Sequence, residues 1–290
     1  MPTHRTCAFC NNEYTLDQTA CPHCFQPALY ANVDSAKEQE ERDQLERRYQ
    51  NAANNADIRG ARQSLEGFET AVEKSKAVIA RPLWELLRLA SSESQIYATY
   101  YQLLEGGVRS PAGDKWDVFR PALDAVVFPS YCKHIRYAAL SLDGRGSTHY
   151  GDCFLIPRDD MIAHRASVLE ENALIWASRY TDLGSLDKSP ELPKGYRATW
   201  NGRARLAVAK LGSEILAGTL PNEHARILLK QGTKSEDDEF IEVHIFGPLT
   251  IRTLEEVLVH RQPSTDALVQ VRISVMRAKL LQFGVNMKVI

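Results

Sequence analysis

Two cysteine pairs, Cys7-Ala-Phe-Cys10 and Cys21-Pro-His-Cys24, restrict what the N-terminal segment can fold into more tightly than any other feature of the chain. Each Cys-x-x-Cys knuckle lets two thiolates converge on one ion while backbone amides stabilise the sulfurs, and two knuckles complete a tetrahedron. Four sulfur ligands leave no open position, so the ion expected at Cys7, Cys10, Cys21 and Cys24 is a structural zinc with no catalytic role. A module this small is expected to depend on its metal to fold. His23, inside the second knuckle, reads as a spare, exposed nitrogen. The chain holds six cysteines in 290 residues. Four of them in such pairs point to metal binding in a reducing compartment, not to a disulfide framework. Cys132 and Cys153 stand alone and read as buried small hydrophobes.

Residues 1–31 look like a zinc ribbon. Their charges are Arg5 against Glu13 and Asp17, which is no basic footprint for a phosphate backbone. Phe9, Tyr14, Phe25 and Tyr30 read as the ribbon's own miniature core. Residues 32–80 read as a helical connector, rich in Ala, Glu, Gln, Arg and Lys, with Asp34 or Ser35 to cap its start. Leu45, Tyr49, Ala52 and Ala56 form one thin apolar seam. After a break at Asn54-Asn55 and Gly60, Leu65, Phe68, Val72 and Ile79 form a second.

The body is expected over residues 81–290. Leu83–Leu89 and Ile96–Leu104 carry helical patterns, the second closing at Gly106-Gly107. Tyr137–Leu142 and Cys153–Ile156 are short buried strands separated by a glycine-rich polar loop, and Leu254–Val259 is predicted as a helix. Val269–Leu281 is a further helix, and the chain ends on a strand-like stretch. The stretch Glu236–Leu249 carries an acidic lip, Glu236, Asp237, Asp238 and Glu239, into a β-branched and aromatic strand. Period-two alternation puts Glu242 and His244 on one face of it. Between residues 194 and 230, seven Lys or Arg stand against Glu214 and Glu223, an excess of +5 in a chain whose net charge is −2. That stretch could receive a phosphate-bearing ligand or an acidic partner. The composition is that of a soluble globular protein. No apolar run is long enough to span a membrane and the N-terminus lacks a signal-peptide core, so a cytoplasmic location is expected.

Several blocks occur in an order that resembles a bacterial family of unknown function related to the ADP-ribosyltransferases. They are Gly106-Gly-Val-Arg-Ser-Pro-Ala112, the strand Tyr137–Leu142, the block His149–Asn172 and the strand Glu239–Leu249. The resemblance covers roughly residues 100–290. It implies an α+β fold with an ADP-ribosyltransferase-like split β-sheet body, and NAD as substrate. It further implies that Glu242 is the catalytic carboxylate, with Arg109 and Tyr150 beside it. Arg109, Arg165, Ser167 and His244 would hold the NAD. A second Glu or Gln often stands two residues before the catalytic one in such transferases. Here that position is Phe240, which leaves nucleobase transfer or plain NAD hydrolysis open.

The reading that follows is ADP-ribose transfer to a macromolecular acceptor, RNA or protein. The small transferase with an appended ribbon suggests a bacterial toxin of a toxin–antitoxin or phage-defence system, with an antitoxin or chaperone docking on the ribbon or the helices. Two rivals belong to other classes. One is a non-enzymatic zinc-ribbon adaptor. The other is a metal-dependent nuclease built on the acidic lip and His244.

Overall fold

The computed structural model describes residues 4–7, 10, 12–15, 18, 20–26, 30–107, 115–181, 192–260 and 267–290. The chain opens with a small antiparallel hairpin of β1 (His4–Thr6) and β2 (Glu13–Thr15), followed by three helices. These are α1 (Ala31–Lys37), α2 (Gln39–Ile58) and α3 (Arg62–Glu73). Then come β3 (Lys76–Arg81), α4 (Leu83–Leu89), α5 (Tyr100–Glu105), α6 (Lys115–Val127) and β4 (Ile135–Ser141). The middle of the chain forms β5 (Cys153–Pro157), α7 (Asp159–Ile162), β6 (Ala166–Leu169), α8 (Ala173–Tyr180), β7 (Arg197–Thr199) and α9 (Arg203–Leu211). The last elements are α10 (His224–Leu228), β8 (Glu242–Phe246), β9 (Leu254–Val259), α11 (Ala267–Gln282) and β10 (Asn286–Val289).

The fold class is α+β, as expected. Among the described residues a single mixed sheet of eight strands runs β10-β9-β5-β3-β4-β8-β6-β7, in which only the β9–β10 pairing is parallel. The strand β3 changes partners halfway. Its first half pairs with β4 through Lys76–Val78, and its second half pairs with β5 through Ile79–Arg81. The sheet therefore has two wings that share one strand and diverge beyond Val78.

Alternation along the strands sorts their side chains onto two faces. Ala77, Ile79, Leu140, Leu155, Val168, Val243, Ile245 and Val257 point to the back, into a core shared with Leu65 and Phe68 of α3 and Leu206 and Val208 of α9. On the front, the far wing buries Val78, Ala80, Phe154, Ile156 and Leu258. The near wing packs Leu169 and Phe246 beneath Leu123 and Val127 of α6 and Trp176 of α8. The middle of the front face, between these two clusters, is where polar groups gather.

Two expected elements are corrected. The second connector helix stops at Glu73, and Lys76–Arg81 is a central strand, so the proposed boundary at residue 80 falls inside the sheet. Ala77-Val-Ile-Ala80 is a short apolar run buried on both faces, and periodicity alone does not separate such a run from buried helix. Leu254–Val259 is strand, not helix. Leu254, Val257 and Leu258 mimic a three-and-four spacing because the strand is buried on both faces over its last three residues.

The helical connector packs on the body, and so absorbs most of the basic stretch. Lys194 pairs with Glu38 at 2.8 Å, and Arg197 with the buried Glu41 at 3.1 Å. Arg205 pairs with Glu46, Lys230 with Glu214 and Glu239, and Lys210 donates to the carbonyls of Glu170 and Phe240. Arg203 is buried, with Trp200 beneath its guanidinium. The +5 excess is largely answered by the acidic side of α2 and neighbouring loops.

His224 lies buried in this region with its ring edge-on to Phe68 and no hydrogen-bond partner on either nitrogen. Burial lowers its pKa, against a smaller opposing pull from Glu223. The folded state thus resists the proton that the unfolded chain accepts near pH 6.5. Stability present above that pH must fall as pH drops through it. In denaturant titrations at pH 8 and pH 5.5, the wild-type chain is expected to lose more stability on acidification than His224→Leu does. Equal losses would refute the assignment.

Candidate functional site

Where β3 parts from β4, a cleft of about 200 Å³ opens in the front face. Ala80 and Arg81 line it from one wing, and Arg136, Tyr137 and Ala138 from the other. Glu242 and Phe240 lie at its floor, Ser147 and Tyr150 come from the glycine-rich loop, and Asn172 comes from the start of α8.

Glu242 is the best-defined group in the cleft. It is only 4% exposed, and a buried carboxylate requires donors. The backbone N–H of Ala173 donates to it at 2.9 Å, Asn172 Nδ2 lies at 3.4 Å, and His244 Nε2 lies at 2.8 Å. An ionised carboxylate only accepts, so Nε2 carries the hydrogen in that contact. Glu242 and His244 do share a face of β8, as the alternation predicts. The position of Ala173 is set by Asn172, whose side chain caps α8 by accepting from the N–H groups of Leu174 and Ile175.

The second layer of the cleft comes from α5 and α6. Asp124, fully buried, accepts from the hydroxyls of Tyr101 at 2.8 Å and Tyr137 at 3.1 Å. Burial pushes the Asp124 carboxyl up, against the opposing pull of Arg120. Arg120, one turn before it, lies over the Tyr100 ring at 4.5 Å and 3.9 Å from Asp124. Its pKa is raised, because Asp124, Tyr137 and Glu242 outweigh its burial. Tyr137 stands well above the usual phenol range through burial and then through Asp124 and Glu242. Burial lowers Arg136 to about 10. The guanidinium of Arg136 donates to the carbonyls of Tyr97 and His134.

The candidate residues do not all come together. Glu242 and Tyr150 line the cleft, and His244 stands behind Glu242 without lining it. Arg165 lies elsewhere and donates to the carbonyls of Met161, Phe246 and Pro248, bracing the end of β8. Ser167 is buried under α1, where Asn32 Nδ2 donates to its hydroxyl and to the carbonyls of Arg165 and His244. Neither of them reaches the cleft. Arg109 lies outside the described residues. The acidic lip does not join His244, since Asp238 turns to Ser147 and His149 instead. Sequence reasoning missed Arg120, Asp124, Tyr100 and Tyr101. Only the spacing of Arg120 and Asp124, four apart on one helix face, could have signalled them.

A separate site lies at the N-terminus. The sulfurs of Cys7, Cys10, Cys21 and Cys24 all fall within 4.8 Å of one another, with Cys7–Cys24 at 3.5 Å and Cys10–Cys21 at 3.6 Å. The edges of a zinc tetrathiolate tetrahedron are about 3.8 Å for bonds of about 2.3 Å, so the donor set fits a metal such as zinc. The Cys21 N–H donates to the Gln26 carbonyl, and Phe25 beside it takes a left-handed backbone with its ring exposed. Among the described residues, no other group of three or more His, Cys, Asp or Glu side chains converges in this way. No described helix is long and apolar enough to cross a membrane. In comparison with known proteins, no family model matches the chain and no curated protein matches its sequence.

One tightly held metal ion per chain is expected by elemental analysis of the purified protein, falling to near zero in Cys21→Ser. Retention of a full equivalent by that variant would refute the tetrathiolate.

Proposed function

We propose that the protein is an NAD-dependent ADP-ribosyltransferase acting on a macromolecular acceptor, with a structural zinc at the four cysteines. The observation that carries the reading is Glu242, a carboxylate held by converging donors on the floor of a cleft walled by tyrosines and arginines. Breaking the bond between nicotinamide and ribose develops positive charge on the ribose. A fixed carboxylate in a low-dielectric cleft stabilises that charge most effectively. Arg81 and Arg120, which line the cleft, complement the phosphates of NAD. The faces of Tyr100, Tyr137 and Tyr150 suit flat aromatic rings.

The same geometry counts against the nuclease, because the acidic lip is dispersed. It leaves the acceptor class open between RNA and protein, since most of the basic stretch at 194–230 is engaged in ion pairs or backbone contacts. The ribbon, with Phe25 at 81% exposure, is the surface on which an antitoxin or chaperone would dock in a toxin–antitoxin or phage-defence setting.

The test is incubation of the purified chain with labelled NAD and, separately, RNA, single-stranded DNA and protein extract. Label is expected to move to one acceptor class. Glu242→Gln is expected to lose about 10²–10³-fold in rate, with its melting temperature monitored alongside. Nicotinamide release without transfer would make the protein an NAD hydrolase. No release under any condition would leave the non-enzymatic adaptor in its place.

A further inference from the structure

Beside the cleft stands a second constellation that this reading does not use. Asp238, 6% exposed, accepts from three groups: Ser147 Oγ at 2.6 Å, the Gly232 N–H at 2.8 Å and His149 Nδ1 at 3.0 Å. Because a carboxylate only accepts, Nδ1 of His149 carries the hydrogen in this contact, and in the neutral form of the ring Nε2 is the lone-pair nitrogen. That nitrogen has no partner among the described residues, and the side chain is 24% exposed.

The loop that bears His149 is pinned to the wall of the cleft. A Cβ at Gly146 would lie 3.3 Å from both Ala80 and Phe154, and Gly151, at φ +136°, sits against the backbone of Arg81. On the other side, Gln231 accepts from the N–H of Thr148 at 2.9 Å, and the Tyr150 hydroxyl lies 3.4 Å from the Ser235 carbonyl. His149 stands between Ser147 and Tyr150, both of which line the cleft. The Tyr150 phenol is raised by burial and then by the carboxylates of both Glu242 and Asp238, which places the two constellations within electrostatic reach of one group. One carboxylate lines the cleft, and one oriented imidazole stands partly exposed on the loop that supplies Ser147 and Tyr150 to it.

We propose that His149, oriented by Asp238, is the general base that deprotonates the acceptor; this rests on the transferase reading. The acceptor atom attacks the ribose carbon as the carbon–nitrogen bond to nicotinamide breaks. The bonding pair leaves with the pyridinium ring, which becomes neutral nicotinamide. The acceptor's proton passes to Nε2 of His149 and from its exposed edge to water. Each turnover thus releases one proton. Such a base is needed for an acceptor that holds its proton at neutral pH, a hydroxyl or a nucleobase N–H, and not for a thiolate. Asp238 acts through His149 and is a positioning residue.

The experiment follows transfer from labelled NAD to RNA, single-stranded DNA and protein extract, supplied separately, across a pH series. The wild-type chain is compared with His149→Ala, His149→Gln and Asp238→Asn. His149→Ala is expected to lose about 10²–10⁴-fold in kcat with its KM for NAD unchanged, to lose the rise of rate with pH, and to recover part of the rate with added imidazole. Imidazole nitrogen NMR is expected to find the Nδ1–H tautomer in the wild type and its loss in Asp238→Asn. Wild-type rates and pH profile in both His149 variants would overturn the base while leaving the transferase standing. A rate lost with a raised KM and no imidazole rescue would also overturn it, leaving His149 a clasp. Failure of the wild type to release nicotinamide would remove both readings together.

Discussion

Everything in the front face follows from the way β3 satisfies its backbone. Buried N–H and C=O groups have to be paired, and β3 meets that demand with two different partners, β4 for its first half and β5 for its second. The wings cannot then remain one continuous surface. Their divergence after Val78 creates a concavity in the centre of the sheet without any loop being inserted there. A strand that stayed with β4 along its whole length would close the cleft and set Ala80 and Arg81 directly opposite Tyr137 and Arg136.

The chemistry of the cleft is governed by what a buried charge requires. Glu242 is tolerated because the α8 terminus, its capping asparagine and His244 all converge on it. Asp124 is tolerated because two tyrosine hydroxyls reach it. Removing one partner from such a site leaves the other exposed to the full desolvation penalty. The polar groups therefore hold one another in place.

Local chemistry made some of this legible from sequence. The cysteine knuckles, the alternation that pairs Glu242 with His244, and the helices Leu83–Leu89 and Ala267–Gln282 all follow from short-range spacing. Long-range pairing did not. Lys76–Arg81 read as helix because its strand character depends on partners sixty and more residues away in β4 and β5. Arg165 and Ser167 read as ligand residues because the family resemblance implied it, and a short motif does not say which partners such side chains will find. Those partners turned out to be carbonyls of β8 and its turn, and Asn32 of α1. Arg120 and Asp124 were invisible for the opposite reason, since an i,i+4 pair on an amphipathic helix is the ordinary pattern of a solvated face.

Asn32 has a consequence for how the chain is made. Its three hydrogen bonds span 133, 135 and 212 residues of sequence, and contacts that distant are slow to form. Synthesis proceeds from the N-terminus, so α1 must wait for β8 to emerge before its anchor exists. The four cysteine sulfurs, by contrast, are brought together across separations of only 17 and 11 residues, so that donor set can converge without waiting for any strand of the large sheet.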